Sequence, residues 1–202
     1  MPLQSWFSIP AYTIDLAGDE LDSVQSEIAS KIDQIKDQSN DSPWGDVVDT
    51  TFTYEDNVDD LEKHNLVTTK QVMMKYVNKY ISYIAKDYEL KINTSWFNFN
   101  TKGNFQFLHD HVTDPHVDWG AQVSGVYYYQ AIGDGTDGEI VFVNPFEATR
   151  YFEFGRISSM ANNIYTPTKG RLLLFPAYVQ HQVRPNLSDQ TRISLAFNLI
   201  RK

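Results

Sequence analysis

The chain has 202 residues, a net charge of −9 from 17 Lys and Arg against 26 Asp and Glu, and no cysteine. The length predicts one domain, and hydrophobic and aromatic fractions of 42% and 14% exclude a disordered or collagen-like chain. Without cysteine, disulfide scaffolds and thiolate metal sites are excluded, so any metal must bind to histidines and carboxylates. The acidic balance disfavours nucleic acid as a partner.

The expected location follows from the targeting signals that the sequence does not contain. Residues Met1–Phe7 lack a basic region followed by an apolar stretch, and the apolar run Leu172–Phe175 is too short to span a bilayer. We therefore expect a soluble, cytoplasmic protein with no membrane partner. Assembly into a homo-oligomer remains open, because exposed strand edges can pair.

Two amphipathic helices are predicted in the first half of the chain. The first spans Asp19–Gln38, with apolar residues at steps of three and four and with Asp19 and Glu20 near its N-terminus. The second begins at Thr68, a suitable N-cap. Its apolar stripe consists of Val72, Met73, Tyr76, Val77, Tyr80, Ile81 and Ile84. Such a stripe favours packing against a sheet over a cofactor site.

The chain becomes β-rich after about residue 92. Alternating segments separated by turn-forming residues predict seven strands: Thr94–Phe99, Phe105–His111, Gln122–Gln130, Glu139–Val143, Arg171–Phe175, Val179–Val183 and Thr191–Leu199. The segment Gly133–Gly138 predicts a hairpin turn. We therefore predict an α+β, mainly β fold, in which two helices within residues 1–91 pack on one sheet of a jelly roll formed by residues 92–202.

Residues Asn144–Gly170 form a long segment without clear periodicity. The segment contains five aromatic residues: Phe146, Tyr151, Phe152, Phe154 and Tyr165. A long aromatic loop in a compact domain favours a functional lid over plain packing.

Four of the five histidines lie in or beside the β-rich part, whereas His64 lies in a polar region and is predicted at the surface. In an extended strand, residues two apart point the same way, so His109 and His111 can present two imidazoles to one metal, with His181 from another strand. The pair His116 and Asp118 offers the same geometry.

The last predicted strand carries Arg192 and Ser194 on one face, and Arg192 follows His181 by 11 residues. An arginine that projects into an apolar barrel is costly unless an anion meets it. A bidentate pair with a ligand carboxylate and a structural salt bridge both satisfy this requirement.

The histidines and Arg192 belong to a longer series of segments that match one family pattern, in the same order, over most of the chain. The relevant segments are Trp6–Leu16, Trp96–Asn98, Gly103–Gln106, His109–His111, Ser124–Tyr128, Gly138–Pro145, Gly170–Pro176, His181 and Arg192–Asn198. In this pattern the chain resembles the Fe(II)- and 2-oxoglutarate-dependent oxygenases, which fold as a double-stranded β-helix. More narrowly, it resembles an incompletely characterised branch common in marine bacteria and their phages.

The resemblance implies a site with an iron held by two histidines and usually one carboxylate. The motif context favours His109 and His111 with His181, a three-histidine catalytic centre, while His116 and Asp118 remain the alternative pair. It further implies that Arg192 and Ser194 bind the distal carboxylate of 2-oxoglutarate.

Tyr128 is the implied strand tyrosine that assists in this binding. The implied reaction consumes O2 and 2-oxoglutarate, releases succinate and CO2, and hydroxylates an unidentified substrate. The whole chain would then be a single oxygenase-like domain.

Two other functions remain open. One is a cupin-like metal-binding or interaction module that shares the jelly roll. The other is a three-histidine metal enzyme that does not use 2-oxoglutarate, for which zinc competes with iron because three imidazoles and an open position suit it. A buried Arg192 beyond the metal site argues against a pure binding module.

Overall fold

The computed structural model describes residues 8–43, 47–53, 58–85, 87–112, 120–145 and 162–202. The helices are α1 (Gly18–Ala29), α2 (Ile32–Lys36), α3 (Asp60–Lys63) and α4 (Val67–Ile84). The strands are β1 (Tyr12–Asp15), β2 (Asn40–Asp41), β3 (Asp49–Thr50), β4 (Leu90–Asn100), β5 (Gln106–His109), β6 (Val123–Gln130), β7 (Ile140–Val143), β8 (Asn162–Tyr165), β9 (Arg171–Pro176), β10 (His181–Val183) and β11 (Arg192–Arg201).

The strands form two antiparallel sheets. The large sheet has seven strands in the order β1-β9-β6-β11-β4-β3-β2, and the small sheet has four in the order β5-β10-β7-β8. Apolar residues of both sheets pack together: Tyr128, Leu173 and Phe175 come from the large sheet, and Ile140 and Phe142 from the small one. The predicted α+β fold with a β sandwich is therefore confirmed.

All seven predicted strands are present, with ends shifted by a few residues. Four further strands, β1, β2, β3 and β8, were not predicted. Strand β8 lies inside the predicted loop Asn144–Gly170 and pairs with β7, so this part of the loop prediction is wrong. Residues 146–161 of that loop lie outside the described residues.

The segment Gly133–Gly138 is not a hairpin turn. Strand β6 is already hydrogen-bonded to β9 on one side and to β11 on the other, so β7 has no place beside it. The segment instead carries the chain from the large sheet to the small sheet. Sequence patterns identify a turn, but they do not show whether its strands pair.

The helices cover the outer face of the large sheet, as predicted. Val24 and Ile28 of α1 and Met73 and Val77 of α4 are buried in one cluster with large-sheet residues such as Phe97. Among the described residues, no helix is both long and apolar enough to cross a membrane.

The predicted helix Asp19–Gln38 is interrupted after Ala29. The hydroxyl of Ser30 donates to the carbonyl of Glu27 at 2.7 Å, and the amide of Lys31 donates to Ile28. A helix that continued would need the Glu27 carbonyl for Lys31, so the serine side chain competes with the helical bond.

Thr68 is not the N-cap of α4, which begins at Val67. Its amide and that of Thr69 donate to the two carboxylate oxygens of Glu27, at 2.9 and 2.7 Å. The cap therefore comes from α1, a neighbour that periodicity within α4 does not reveal.

Candidate functional site

The inner face of the large sheet carries four rows of side chains that face the small sheet. The first row holds Asn100 and Arg192; the second Asn98, Ser194 and Tyr128; the third Trp96, Ala196 and Val126; the fourth Thr94, Asn198 and Ser124. The alternate residues, such as Phe97, Leu195 and Tyr127, pack on the opposite face in the core with the helices. The inner face is thus strongly polar although it is buried.

Three histidines converge opposite these rows. His109 ends β5, His111 follows it, and His181 begins β10, directly opposite His109. Their ring centroids lie 4.3 to 5.2 Å apart. One ligand atom from each ring lies within 4.8 Å of the other two, an arrangement that can hold a metal ion. The structure therefore brings His109, His111 and His181 together.

A β-bulge directs His109 toward His181. Along β10, His181 and Val183 are two residues apart, but their partners on β5, His109 and Gln106, are three apart. Strict alternation would place Gln106 and His109 on opposite faces, and the extra residue restores them to one face. Phe107 and Leu108, between them, are exposed by 55% and 47%.

Hydrogen bonds orient two of the imidazoles. Nδ1 of His109 lies 2.7 Å from the carbonyl oxygen of Phe107, and Nδ1 of His181 lies 3.0 Å from that of Val179. A carbonyl only accepts, so each Nδ1 carries the hydrogen and donates it. The lone pair then lies on Nε2, the atom left to bind a metal.

Burial favours the neutral form of two of the imidazoles, those of His111 and His181. Burial, with a smaller effect of His109, lowers the pKa of His181 to about 3. Burial and the two neighbouring imidazoles lower the pKa of His111 well below its usual range. Neutral imidazole is the form that binds metal ions.

Aromatic rings pack against two of the three histidines. Trp96 of the third row lies 5.9 Å from the His111 ring, and Phe142 and Phe175 lie 5.6 and 5.0 Å from the His181 ring. Because Phe175 pairs with Ser124 of the fourth row, the histidines lie over the third and fourth rows.

Arg192, in the first row, is 2% exposed. Its Nη1 donates to the carbonyl oxygen of Gly138 at 2.5 Å, and its Nε has no hydrogen-bond partner among the described residues. Burial lowers the pKa of Arg192, while Tyr128 and Asp137 oppose this effect. No described carboxylate forms an ion pair with it, so the alternative of a structural salt bridge finds no support in the described part of the chain.

The structure also brings the predicted residues Ser194 and Tyr128 close to Arg192. Ser194 and Tyr128 are cross-strand partners, and the Arg192 guanidinium lies 6.0 Å from the Tyr128 ring centroid. Along β11, Arg192 and Ala196 are separated by about 13 Å of strand. This distance separates the guanidinium from the rows that lie under the histidines.

Sequence reasoning did not assign roles to Asn98 and Asn100. Both are buried on the inner face of β4, and the Oδ1 atom of Asn98 and both amide atoms of Asn100 have no partner among the described residues. The available signal was the alternation of these asparagines with Phe97 and Phe99.

The other two histidines, His116 and His64, are not part of this cluster in the described structure. His116 and Asp118 lie outside the described residues, so the alternative ligand pair stays a prediction. His64 is not at the surface, because only 5% of it is exposed. It packs one helical turn after Asp60, with Nε2 3.8 Å from a carboxylate oxygen, and this turn docks on β4.

Comparison with known proteins supports the geometry. A family model described as "Putative 2OG-Fe(II) oxygenase" matches residues 94–198, which include the four rows and the three histidines. No curated protein is significantly similar in sequence.

Three solved structures illustrate the likeness in fold. A Pseudomonas putida prolyl-4-hydroxylase is 15% identical with a TM-score of 0.62, and the match covers 96% of this chain and 94% of that one. HygX from Streptomyces hygroscopicus, with nickel and 2-oxoglutarate bound, is 15% identical with a TM-score of 0.60 and coverage of 95% and 82%. The epimerase SnoN from nogalamycin biosynthesis is 12% identical with a TM-score of 0.66 and coverage of 95% and 78%. At these identities the matches establish the fold, the predicted double-stranded β-helix.

Proposed function

The chain belongs to the 2OG-Fe(II) oxygenase family, and from this membership we propose that it is a non-haem Fe(II)- and 2-oxoglutarate-dependent dioxygenase that hydroxylates an unidentified substrate. The reaction would consume O2 and release succinate and CO2. One observation carries the proposal: three converging imidazoles and a buried guanidinium without a described carboxylate partner face the same interior.

We assign the metal to His109, His111 and His181. Two observations support this assignment. The Nδ1 hydrogen bonds of His109 and His181 leave Nε2 of each ring for a metal, and one ligand atom from each of the three rings lies within 4.8 Å of the other two. When bound, iron and 2-oxoglutarate supply the oxidising chemistry. The protein holds the ligand geometry through the two backbone carbonyls that fix the tautomers.

We assign the distal carboxylate of 2-oxoglutarate to Arg192, Ser194 and Tyr128. A carboxylate would supply the acceptor that Arg192 Nε lacks, and the hydroxyls of Ser194 and Tyr128 offer further donors. Three neutral imidazoles leave the centre one charge more positive than a site with one carboxylate ligand, which favours a dianionic co-substrate.

The relatives support the co-substrate class. HygX was solved with nickel and 2-oxoglutarate bound, and SnoN is an alpha-ketoglutarate-dependent epimerase. Because an epimerase and a prolyl-4-hydroxylase share this fold, hydroxylation remains our proposal and the substrate is left unassigned.

The test is anaerobic loading with Fe(II), followed by titration with 2-oxoglutarate and observation of the visible charge-transfer band of the iron-chelated keto acid. We expect the band in the wild type, its loss in His109→Ala, and its retention in His116→Ala. Arg192→Ala should need about a hundredfold more 2-oxoglutarate, the effect of removing one partner of a buried charge pair. Bound iron without a band at any concentration would refute the proposal, and loss only in His116→Ala would move the ligand assignment to the alternative pair.

A second candidate is a three-histidine metal enzyme that does not use 2-oxoglutarate, because three imidazoles with an open position also suit zinc. In that case Arg192→Ala would leave metal-dependent activity unchanged. A cupin-like binding module is the third alternative, and a buried Arg192 whose Nε has no partner among the described residues counts against it.

We further propose that the chain belongs to the branch common in marine bacteria and phages and that it is cytoplasmic. We also propose that residues 1–202 form one domain, with a helical part (1–91) and a jelly-roll part (92–202).

A further inference from the structure

The side-chain amide of Asn100 lies buried beside Arg192 on the inner face of the large sheet. It is 0% exposed, and neither Nδ2 nor Oδ1 has a partner among the described residues. Its backbone carbonyl, by contrast, accepts a hydrogen bond from Asn186 Nδ2 at 2.8 Å, which holds the end of β4. Buried amides are almost always hydrogen-bonded, so an unpaired one requires an explanation.

Asn100 and Arg192 are direct cross-strand partners at the end of the inner face. Gly138 occupies Nη1 of the guanidinium. Because the guanidinium is planar, this contact leaves the opposite edge, formed by Nε and Nη2, for a bidentate partner. Nε has no partner among the described residues, like the adjacent amide.

Two neighbouring donors without acceptors indicate a ligand with several acceptor sites in one place. A carboxylate has about four such sites, and a bidentate arginine uses only two of them. We propose that the side-chain amide of Asn100 donates from Nδ2 to the distal carboxylate of 2-oxoglutarate, beside the Nε and Nη2 edge of Arg192. The inference rests on the proposed function. It makes Asn100 a specificity residue for a diacid co-substrate.

The test compares two ligands that differ only at the distal end. Calorimetry measures binding of 2-oxoglutarate and of 2-oxovalerate, which has a methyl group in place of the distal carboxylate, to protein loaded with Mn(II) without oxygen. The variants are Asn100→Ala and the isosteric Asn100→Asp, and the control is Asn78→Ala on the exposed side of α4. Thermal unfolding checks that each variant is folded.

We expect Asn100→Ala to raise the Kd of 2-oxoglutarate about tenfold or more, the effect of a hydrogen bond to a charged group, and to leave 2-oxovalerate unchanged. Asn100→Asp should weaken the binding of 2-oxoglutarate further, because two negative charges would then repel each other. This variant provides the test if Asn100→Ala does not fold. Equally weakened binding of both ligands, or unchanged binding of 2-oxoglutarate, would overturn this inference and leave the proposed function standing. Failure of the wild type to bind 2-oxoglutarate would overturn the proposed function with it.

Discussion

Gly138 and Arg192 approach each other so closely that only a glycine fits. The Gly138 carbonyl accepts from Nη1 of Arg192 at 2.5 Å, and a Cβ at Gly138 would lie 3.1 Å from that nitrogen and 2.6 Å from the Arg184 carbonyl oxygen. Gly138 also has a φ of +88°, in the region that favours glycine. The contact fixes which edge of the guanidinium faces the interior.

Gly138→Ala should therefore displace Arg192 and weaken 2-oxoglutarate binding by about tenfold or more, together with a stability loss of about 1 kcal/mol or more from the positive φ. Calorimetry on metal-loaded protein measures the first effect and urea unfolding the second. Gly135→Ala is the matched control, because Gly135 has a φ of +87° but meets only the Glu139 side chain at 3.7 Å. Equal loss of 2-oxoglutarate affinity in both variants would contradict this role of Gly138.

Deleting Leu108 should weaken the metal site without removing a ligand. His109 and Gln106 would then be two residues apart, so regular alternation would still place them on one face, but Phe107 would become the immediate neighbour of His109 and its carbonyl would lose the position from which it orients Nδ1. Titration with Zn(II) or Fe(II) should show affinity reduced by about tenfold to a hundredfold, the effect of losing an indirect ligand interaction. Leu108→Ala keeps the residue count and should bind metal as the wild type does; weakened binding in this variant too would attribute the effect to the leucine side chain.

Gly125→Ala should destabilise the core. Gly125 lies directly opposite Phe197, and a Cβ there would lie 2.2 Å from the phenylalanine ring. Overpacking of this kind costs about 1–3 kcal/mol, measurable by urea unfolding. Adding Phe197→Leu to Gly125→Ala should recover part of the loss, and additive losses in the double variant would argue against the clash.

The buried carboxyl of Asp60 should make stability depend on pH. Burial raises its pKa from the ordinary 3.8 to about 6, although the Thr51 hydroxyl donates to Oδ2. Between these values the folded state binds more protons than the unfolded state, so stability falls as the pH rises through this window. Above about pH 6 the loss amounts to about 3 kcal/mol.

Asp60→Asn removes the charge but keeps an acceptor for Thr51. Relative to the wild type, it should be more stable by up to about 3 kcal/mol near pH 7.5 and by little near pH 4. Urea unfolding at both pH values measures the difference, with exposed Asp22→Asn as the control. A difference that is the same at both pH values would exclude ionisation of Asp60 as its cause.

Periodicity located the elements of this protein because it reports local burial. The steps of three and four in α4 and the alternation in β4 and β11 depend only on which side of each element faces the core. The same reasoning extended the first helix through Ser30, because the apolar pattern on either side of this serine continues at helical steps. In the structure the Ser30 hydroxyl donates to the Glu27 carbonyl, which a continuous helix would need for its own hydrogen bond. The same reasoning placed His64 at the surface because the helical turn that docks on β4 is a tertiary contact.

The sequence by itself determined the apolar faces of the two predicted helical segments, the seven main strands and the small set of histidines and arginine from which a site can be built. Only the tertiary structure decided how they meet: His181 reaches His109 across a strand pair with an extra residue, and Arg192 lies beside Asn100 and under Gly138. The physical reason is that bulges, close glycine contacts and unpaired amides depend on which strand lies opposite. Strand partners can be distant in the sequence, and no local pattern records them.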